Sequence, residues 1–288
     1  MQARNRRRGP ALPTTDRTTA FQRDGYLVLP GFKPAADCAA LRDRARAIVD
    51  AFEPGARAAV FSTVQPGRLA DAALIASAES MDCFFEEEAF DARGALRQSK
   101  ALSINKIGHA LHDLDPVFDA FSHGPELAAL AVDLGLAQPQ LWQSMVIFKQ
   151  PGIGGEVRWH QDASFFVTEP QTVTAFWFAL EDATRDNGCL WVQPGGHRTP
   201  LRERFVRDGD RLALERLDAS PWPTLAEAVP VEVKTGTLVC LHGLLPHYSA
   251  PNRSPVSRLA YTLHVTDGGA AYSPRNWLQR QRLPLRGF

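Results

Sequence analysis

A histidine and an aspartate two residues apart, His160 and Asp162, are the first pair able to do chemistry. They lie in the run 158–166, RWHQDASFF. If this run is a strand, both side chains leave the same face and can close on one metal ion. Completed by a distant histidine, they would form the two-histidine, one-carboxylate triad that holds non-haem Fe(II). The pair alone is a weak signal, because 8 histidines and 32 acidic residues among 288 give about one such pair by chance.

A second candidate segment, 239–249, contains His247 and is followed by Arg258. We expect the turn at 251–254 to join two strands into a hairpin, which would place His247 beside Arg258. An arginine pointing into a barrel near a metal predicts a dianionic co-substrate, since an unpaired buried charge is costly. His242 is an alternative distal ligand, but its spacing to Arg258 fits less well.

The elements that must position these residues change character at Pro139. Before it, the patterns predict a short helix around Phe21, a strand over 26–29, and helices from 34 to 52, 109 to 121 (with His109 and His112) and 125 to 134. After it, short apolar or alternating runs predict strands over 141–150, 173–180, 189–192, 229–233, 237–241 and 257–265. Strands this short and numerous favour a jelly roll with helices packed outside.

Three stretches lack such a pattern. We expect residues 1–15 to be a disordered tail ahead of a single domain over 16–288, although its arginine cluster is also compatible with a targeting or anion-binding arm. Residues 53–101 predict either an active-site cover or a plain surface loop. Residues 195–230 are charged, and we expect them to cross the outside of the barrel as an irregular segment.

Composition narrows the class of partner. Lysine plus arginine equal aspartate plus glutamate at 32 each, which argues against a nucleic acid or an anionic membrane as the main partner. The four cysteines (Cys38, Cys83, Cys189 and Cys240) are far apart, which fits a reducing compartment, and we predict a cytoplasmic protein. No apolar run reaches membrane-spanning length. These observations leave a small-molecule substrate open as the partner, and nothing in the sequence sets the oligomeric state.

Several short motifs occur in a characteristic order: WHQD at 159–162, NGCLW at 187–191, PGGH at 194–197, HYS at 247–249 and NRS at 252–254 before Arg258. Further matches are FQRDGYLV at 21–28, INKIGHALH at 104–112, FKQP at 148–151 and SPRNWL at 273–278. Together they cover nearly the whole chain beyond the tail. In this order the motifs resemble the phytanoyl-CoA dioxygenase family.

The resemblance implies a mainly β protein with flanking helices, a double-stranded β-helix, that uses Fe(II), 2-oxoglutarate and O2. It assigns the iron to His160, Asp162 and His247, and the distal carboxylate of 2-oxoglutarate to Arg258 with Ser249. Positions that match further co-substrate contacts are Lys106, Met145, Gln161 and Trp177. The retained Asp162 favours hydroxylation over chlorination, because halogenating relatives lack the carboxylate ligand.

Two other functions remain as alternatives: a non-catalytic, cupin-like binding protein and a zinc hydrolase with the same ligands. Arg258 would have no purpose in the hydrolase, and zinc sites prefer more nitrogen and sulfur. His264 shares the face of Arg258 by strand parity, so it lines the barrel or is a hydrogen-bonded core histidine. His197 is expected to be a loop residue. An apolar wall of Phe165, Phe166 and Phe178 predicts an apolar or amphipathic substrate.

Overall fold

The computed structural model describes residues 14–54, 60 and 68–288, so most of the predicted tail lies outside the described residues. The described residues form the helices α1 Thr14–Asp24, α2 Ala35–Ala51, α3 Arg68–Ala76, α4 Leu111–Leu114, α5 Pro116–Ser122 and α6 Pro125–Asp133. The strands are β1 Tyr26–Leu29, β2 Met81–Phe85, β3 Ile104–His109, β4 Pro139–Lys149, β5 Val157–His160, β6 Thr168–Glu169, β7 Thr174–Ala179, β8 Leu190–Val192, β9 Glu203–Asp208, β10 Arg211–Arg216, β11 Val229–Val231, β12 Leu238–His242, β13 His247–Ser249, β14 Arg258–Asp267 and β15 Ala271–Tyr272.

Two antiparallel sheets form the double-stranded β-helix. The major sheet has the order β1-β12-β7-β14-β4-β3-β2, and the minor sheet has the order β11-β8-β13-β5. An apolar cluster joins them, with Trp177 and Val239 from the major sheet and Val192 and Val231 from the minor sheet. Two smaller pairs, β9–β10 and β6–β15, complete the β-structure. The predicted jelly-roll architecture is confirmed.

The central strand β14 shows how the sequence sorts residues between the layers. Its odd-numbered residues Leu259, Tyr261 and Leu263 pack into the core cluster that also holds residues of α2, α5 and α6. Because side chains alternate along a strand, the even-numbered residues from Arg258 to His264 face the interior between the sheets. Polar and charged side chains are thus directed inside the barrel, where a site can form.

Most of the sequence-based elements are confirmed. The helix around Phe21, the strand over 26–29, the helix that follows Pro34 and the six strands after Pro139 all occur, with boundaries shifted by at most a few residues. The helix predicted over 125–134 is α6, and it is followed by Gly135 at φ 97°. Among the described residues, no helix is both long enough and apolar enough to span a bilayer.

The prediction for 53–101 was wrong in part, because this stretch contains α3 and the edge strand β2. In β2 three successive residues, Cys83, Phe84 and Phe85, are buried. Phe84 lies 5.7 Å from the His109 ring and Phe85 lies 6.0 Å from the Phe52 ring, so both faces of the strand are covered. A strand covered on both faces shows no alternation, which explains why its sequence looked irregular. Residues 55–59 and 61–67 of this stretch lie outside the described part.

The single helix predicted over 109–121 was also wrong. His109 is the last residue of β3, and the remainder divides into α4 and α5. Asp115 separates the two helices with an extended backbone (φ −123°, ψ 123°), as the residue before Pro116 is expected to be. Its carboxylate then caps α5 by accepting from Val117 N and Phe118 N.

Residues 195–230 are not irregular throughout, since they contain the hairpin β9–β10. Its outer positions are charged, which hid the strand pattern, whereas Phe205 and Leu212 join an apolar cluster with Phe165, Phe166 and Trp277. The hairpin therefore packs beside the segment that follows Asp162.

Candidate active site

Two neighbouring strands of the minor sheet bring the candidate metal ligands together. His160 ends β5, His247 begins β13, and the two residues are paired in register with ring centroids 4.0 Å apart. The expectation of one strand through 158–166 was wrong, because β5 stops at His160 and Asp162 begins a 3-10 turn over Asp162–Ser164. The turn still returns the carboxylate to the same site. One ligand atom from each of the three residues lies within 4.8 Å of the others.

Both imidazoles are oriented by backbone carbonyls. His160 Nδ1 lies 2.8 Å from Arg158 O, and His247 Nδ1 lies 3.0 Å from Leu245 O. A ring nitrogen that donates to a carbonyl carries the proton, so each Nε2 keeps a free lone pair. Burial, and then the neighbouring His247, lower the pKa of His160 to about 3, which keeps this ring neutral. Neutral imidazoles with free Nε2 atoms are the form that binds a metal.

Asp162 completes the cluster. Its Oδ1 lies 3.6 Å from His160 Nε2 and 3.7 Å from His247 Nε2, and its Oδ2 is buried with no hydrogen-bond partner in the described part of the chain. Burial alone would raise the pKa of this carboxyl, but the imidazoles of His247 and His264 lower it overall. An ionised carboxylate with two neutral imidazoles is the donor set that suits Fe(II), and its partnerless oxygen indicates that a cation belongs there.

Arg258 is fully buried at the start of β14. Its Nε donates to Gly188 O at 3.2 Å and its Nη2 lies 3.5 Å from Ser249 Oγ, whereas Nη1 is buried without a partner among the described residues. Burial lowers the pKa of Arg258 to about 10, so the guanidinium stays charged at neutral pH. The Trp177 ring lies 5.6 Å from its central carbon. A buried cation with a free donor is built to receive an anion.

The predicted hairpin between His247 and Arg258 was wrong, because β13 and β14 belong to different sheets. Arg258 and Ser249 approach each other across the barrel, and the carbonyl of Gly188 accepts from both side chains. Gly188 has φ 86°, and a Cβ there would come within 2.8 Å of Ala250 O. Only glycine fits this junction, which gives the NGCLW motif a structural reason.

The remaining predicted co-substrate residues fall into two groups. Lys106, Met145 and Trp177 lie on β3, β4 and β7 of the major sheet. Met145 and Trp177 pair with Thr262 of β14 from its two sides, and Lys106 pairs with Ile147 of β4. Lys106 is buried, and this burial lowers its pKa to about 7. Their contacts with a co-substrate remain predictions.

Gln161 also remains a prediction as a co-substrate residue, but its amide is used elsewhere. Its Nε2 donates to Pro200 O and Leu244 O, and its Oε1 accepts from Arg202 N. These three bonds join the residue between His160 and Asp162 to two loops. Gln161 therefore stabilises the segment that carries two of the candidate ligands.

The sequence reasoning missed the polar residues that support the site. Lys149 is buried beside Arg258 and donates to three carbonyls, Gly155 O at 2.6 Å, Ser249 O at 3.1 Å and Ala250 O at 2.6 Å. Burial, and then Arg258, lower the pKa of Lys149 to about 6, but three carbonyl acceptors match the three donors of an ammonium, and we assign the charged form.

Glu86 is a further buried residue that no motif indicated. Its Oε2 accepts from Asn105 Nδ2 at 2.9 Å and from Gly155 N at 3.1 Å, and burial raises the pKa of the carboxyl. It follows β2, in a segment that looked irregular. Strand parity and the FKQP motif at 148–151 were the available signals for Lys149, whereas Glu86 had none.

Four of the other histidines, His109, His112, His197 and His242, make contacts outside the metal cluster. His242 Nδ1 accepts from Leu244 N, and its ring is 5.0 Å from that of His197, which also contacts Gln22 O. His109 Nδ1 lies 2.8 Å from Ser77 Oγ, and His112 Nδ1 lies 2.7 Å from Ser144 Oγ. These contacts are structural, so the alternative distal ligand His242 is not supported.

The fold, the cluster and the family match define the class of this protein: it is an enzyme, a 2-oxoglutarate-dependent non-haem iron dioxygenase. The family model described as phytanoyl-CoA dioxygenase matches residues 21–260. The chain belongs to the phytanoyl-CoA dioxygenase family.

Relatives in plants and animals extend over most of the chain. It is 48% identical to phytanoyl-CoA dioxygenase 1 of Oryza sativa subsp. japonica, covering 94% of this chain and 95% of the relative. It is 43% identical to phytanoyl-CoA dioxygenase domain-containing protein 1 of Bos taurus, covering 90% and 92%. These matches confirm the resemblance seen in the motifs.

Solved structures confirm the fold. EctD from S. alaskensis, solved with 2-oxoglutarate and 5-hydroxyectoine, is similar at a TM-score of 0.63 with 22% identity, covering 93% of this chain and 83% of that one. AviO1 from Streptomyces viridochromogenes Tue57 is similar at a TM-score of 0.62 with 23% identity, covering 93% and 100%.

Proposed function

We propose that this protein uses Fe(II), 2-oxoglutarate and O2 to hydroxylate a C–H bond of a small organic substrate, with release of succinate and carbon dioxide. The proposal rests on one observation: the same barrel contains a set of metal ligands and a buried cation, and each keeps an atom without a partner among the described residues. The His160, Asp162 and His247 cluster offers three metal ligands, and Arg258 offers a buried cation with a partnerless nitrogen. A metal and a dianionic keto acid together satisfy both.

Each residue then has a defined task. The Nε2 atoms of His160 and His247 and the Asp162 carboxylate hold iron, which supplies the redox chemistry that couples loss of carbon dioxide from the keto acid to oxygen insertion. Arg258 with Ser249 fixes the distal carboxylate of the co-substrate. No side chain has to transfer a proton in the oxygen-inserting step. The protein contributes the metal ligands, the orientation of the bound molecules and a site from which water is excluded.

The wall beside the metal cluster supports an apolar or amphipathic substrate. The Phe165 ring lies 6.1 Å from that of His160, and Phe166 is buried against His264. Phe178 does not belong to this wall, because it packs in the cluster outside the barrel near Phe121. Two of the three predicted phenylalanines thus remain next to the site.

A further part of the proposal is that the product is an alcohol and not a halide. Asp162 occupies the place that chloride would need, since halogenating relatives lack this carboxylate ligand. A cytoplasmic location also stays a proposal, supported by the four free, buried cysteines among the described residues.

Removal of the carboxylate tests the proposed role of Asp162. The Asp162→Ala variant should lose ordinary turnover, because two neutral imidazoles hold Fe(II) poorly without the anionic ligand. Succinate release with an accepted substrate, found by a screen of small acids, acyl thioesters and natural products, is the measurement. Near-normal consumption of 2-oxoglutarate by the variant would contradict the ligand assignment. A protein that binds metal and 2-oxoglutarate but never releases succinate would be the non-catalytic alternative.

A further inference from the structure

His264 is the third imidazole at the Asp162 carboxylate. Its Nε2 lies 3.4 Å from Asp162 Oδ1, the same oxygen that faces His160 and His247. It comes from the major sheet, however, whereas the two candidate ligands come from the minor sheet. The one group of three mutually close ligand atoms among the described residues does not include His264.

The ring of His264 is held rigidly. It is buried on the inward face of β14, opposite Ala175 of β7 and Gln143 of β4. It also stacks on the buried Phe166 ring, with centroids 4.9 Å apart and planes 22° apart. Packing on this scale fixes the ring before any ligand binds.

The protonation pattern separates His264 from the two candidate ligands. Those rings place their protons on Nδ1, facing carbonyl oxygens, so neither can donate from Nε2. His264 Nδ1 has no hydrogen-bond partner in the described residues, and its other nitrogen faces a carboxylate. The tautomer with hydrogen on Nε2 is therefore favoured for His264, and that hydrogen points at Asp162.

Asp162 needs such a donor. Its backbone is fixed by the 3-10 turn and by the bond from Ala163 N to Gly243 O at 2.8 Å. Its carboxylate has polar contacts only with the three imidazoles within the described ranges, and two of these present lone pairs. The contact from His264 Nε2, at 3.4 Å, is thus the one protein contact within the described ranges that can restrain rotation of the carboxylate.

We propose that His264 is a positioning residue, which donates from Nε2 to Asp162 and holds this carboxylate in the orientation that binds the metal. The proposal rests on the proposed function, in which Asp162 is a ligand. Hydrogen bonds to metal ligands of this kind contribute roughly 10- to 100-fold to metal affinity. His264 would connect the inward face of the major sheet to a metal site built on the minor sheet.

Three substitutions separate the donor from the ring. His264→Phe keeps a ring against Phe166 but removes the donor, and should weaken metal binding by roughly 10- to 100-fold. His264→Gln places an amide nitrogen near the position of Nε2, and should retain most of the affinity. His264→Asn has a nitrogen near the position of Nδ1, too short to reach Asp162, and should behave like the phenylalanine variant.

The readout is the apparent dissociation constant for Fe(II), from anaerobic titration of each folded variant, with folding checked by circular dichroism. Tighter binding by the glutamine variant than by the other two supports the proposal. Equal affinity of all variants and the parent overturns it, and so does equal weakening of all three, which would assign the effect to packing. If the phenylalanine variant does not fold, the glutamine and asparagine pair decides alone. Failure of the parent to bind Fe(II) would instead contradict the proposed function.

Discussion

Arg258 and Lys149 are two buried cations that pair in register on β14 and β4, yet the same substitution should affect them in opposite ways. The donors of Lys149 are satisfied by three carbonyls, whereas Arg258 keeps Nη1 without a partner among the described residues. Lys149 therefore stabilises the fold, whereas Arg258 is available to bind a ligand. Replacement of each by methionine, which keeps an unbranched apolar stem, tests this difference.

For Arg258→Met, the cost to the fold is small. The variant loses the bond from Nε to Gly188 O, which contributes about 0.5–1.5 kcal/mol, but it also removes a buried charge, whose replacement by an apolar group is often neutral or stabilising. Stability without 2-oxoglutarate should stay within about 1 kcal/mol of the parent or rise. Loss of the hydrogen bond from Nη1 to a carboxylate costs about 1.5–3 kcal/mol, which weakens 2-oxoglutarate binding by roughly 10- to 150-fold.

For Lys149→Met, three carbonyls, one buried and two partly buried, lose a charged donor. Because each such bond contributes about 1.5–3 kcal/mol and the effects are not additive, the free energy of unfolding should fall by about 3 kcal/mol or more. Binding of 2-oxoglutarate by the folded fraction should change much less than in Arg258→Met.

Urea unfolding without co-substrate gives the stabilities, and anaerobic titration with 2-oxoglutarate gives the affinities. Tryptophan fluorescence is a suitable signal, since Trp177 lies 5.6 Å from the guanidinium carbon of Arg258. If Arg258→Met unfolds as easily as Lys149→Met and still binds 2-oxoglutarate like the parent, the assignment of the two cations is refuted.

Three further substitutions test other contacts. Burial lowers the pKa of His109 to about 3 from 6.5, so the unfolded chain binds more protons between these values, and stability should fall as the pH drops below about 6.5. Urea unfolding against pH should show a flatter slope for His109→Gln, and an unchanged slope would exclude His109 as the cause. Gln161→Met should reduce the free energy of unfolding by about 1–3 kcal/mol, because it leaves the buried Arg202 N and the carbonyls of Pro200 and Leu244 without their partner. Equal stability by urea unfolding would contradict the role of Gln161 in holding the two loops. Ser249→Ala should raise the dissociation constant for 2-oxoglutarate by at most about tenfold, since a neutral hydrogen bond contributes about 0.5–1.5 kcal/mol, and a loss as large as that in Arg258→Met would show that the serine does more than assist.

The sequence was most informative where one face of a strand or helix is buried. In α2, predicted as a helix from 34 to 52, the buried residues Cys38, Leu41, Ala45 and Val49 recur at helical spacing and form the face that packs on the core. Strand parity also placed His264 on the face of Arg258 before its contact with Asp162 was known. Periodicity carries information only when the two faces of an element differ.

The wrong predictions concern elements whose two faces do not differ clearly in the sequence. β2 is covered on both faces, so its Cys83-Phe84-Phe85 run showed no period, and β9–β10 is so charged that its apolar positions were obscured. The sequence also could not predict how segments that are distant along the chain pack against each other. Ser249 and Arg258 approach each other because two sheets face each other, and no local pattern reports how sheets pack.

The candidate site was predictable because its chemistry restricts residue types, and the supporting residues were not. Metal ligands and a buried arginine must be particular side chains, and their motifs are short and ordered. Lys149 and Glu86 support the site through bonds to backbone groups of distant loops, which only the folded chain brings together. Their roles depend on geometry, which a motif such as FKQP at 148–151 does not report.

The central claim is that iron and 2-oxoglutarate bind together in this barrel and react with oxygen. Anaerobic addition of Fe(II) and 2-oxoglutarate should produce a weak visible charge-transfer band, which bleaches when oxygen is admitted while succinate appears. The absence of both the band and succinate, from folded protein that contains Fe(II), would contradict the account.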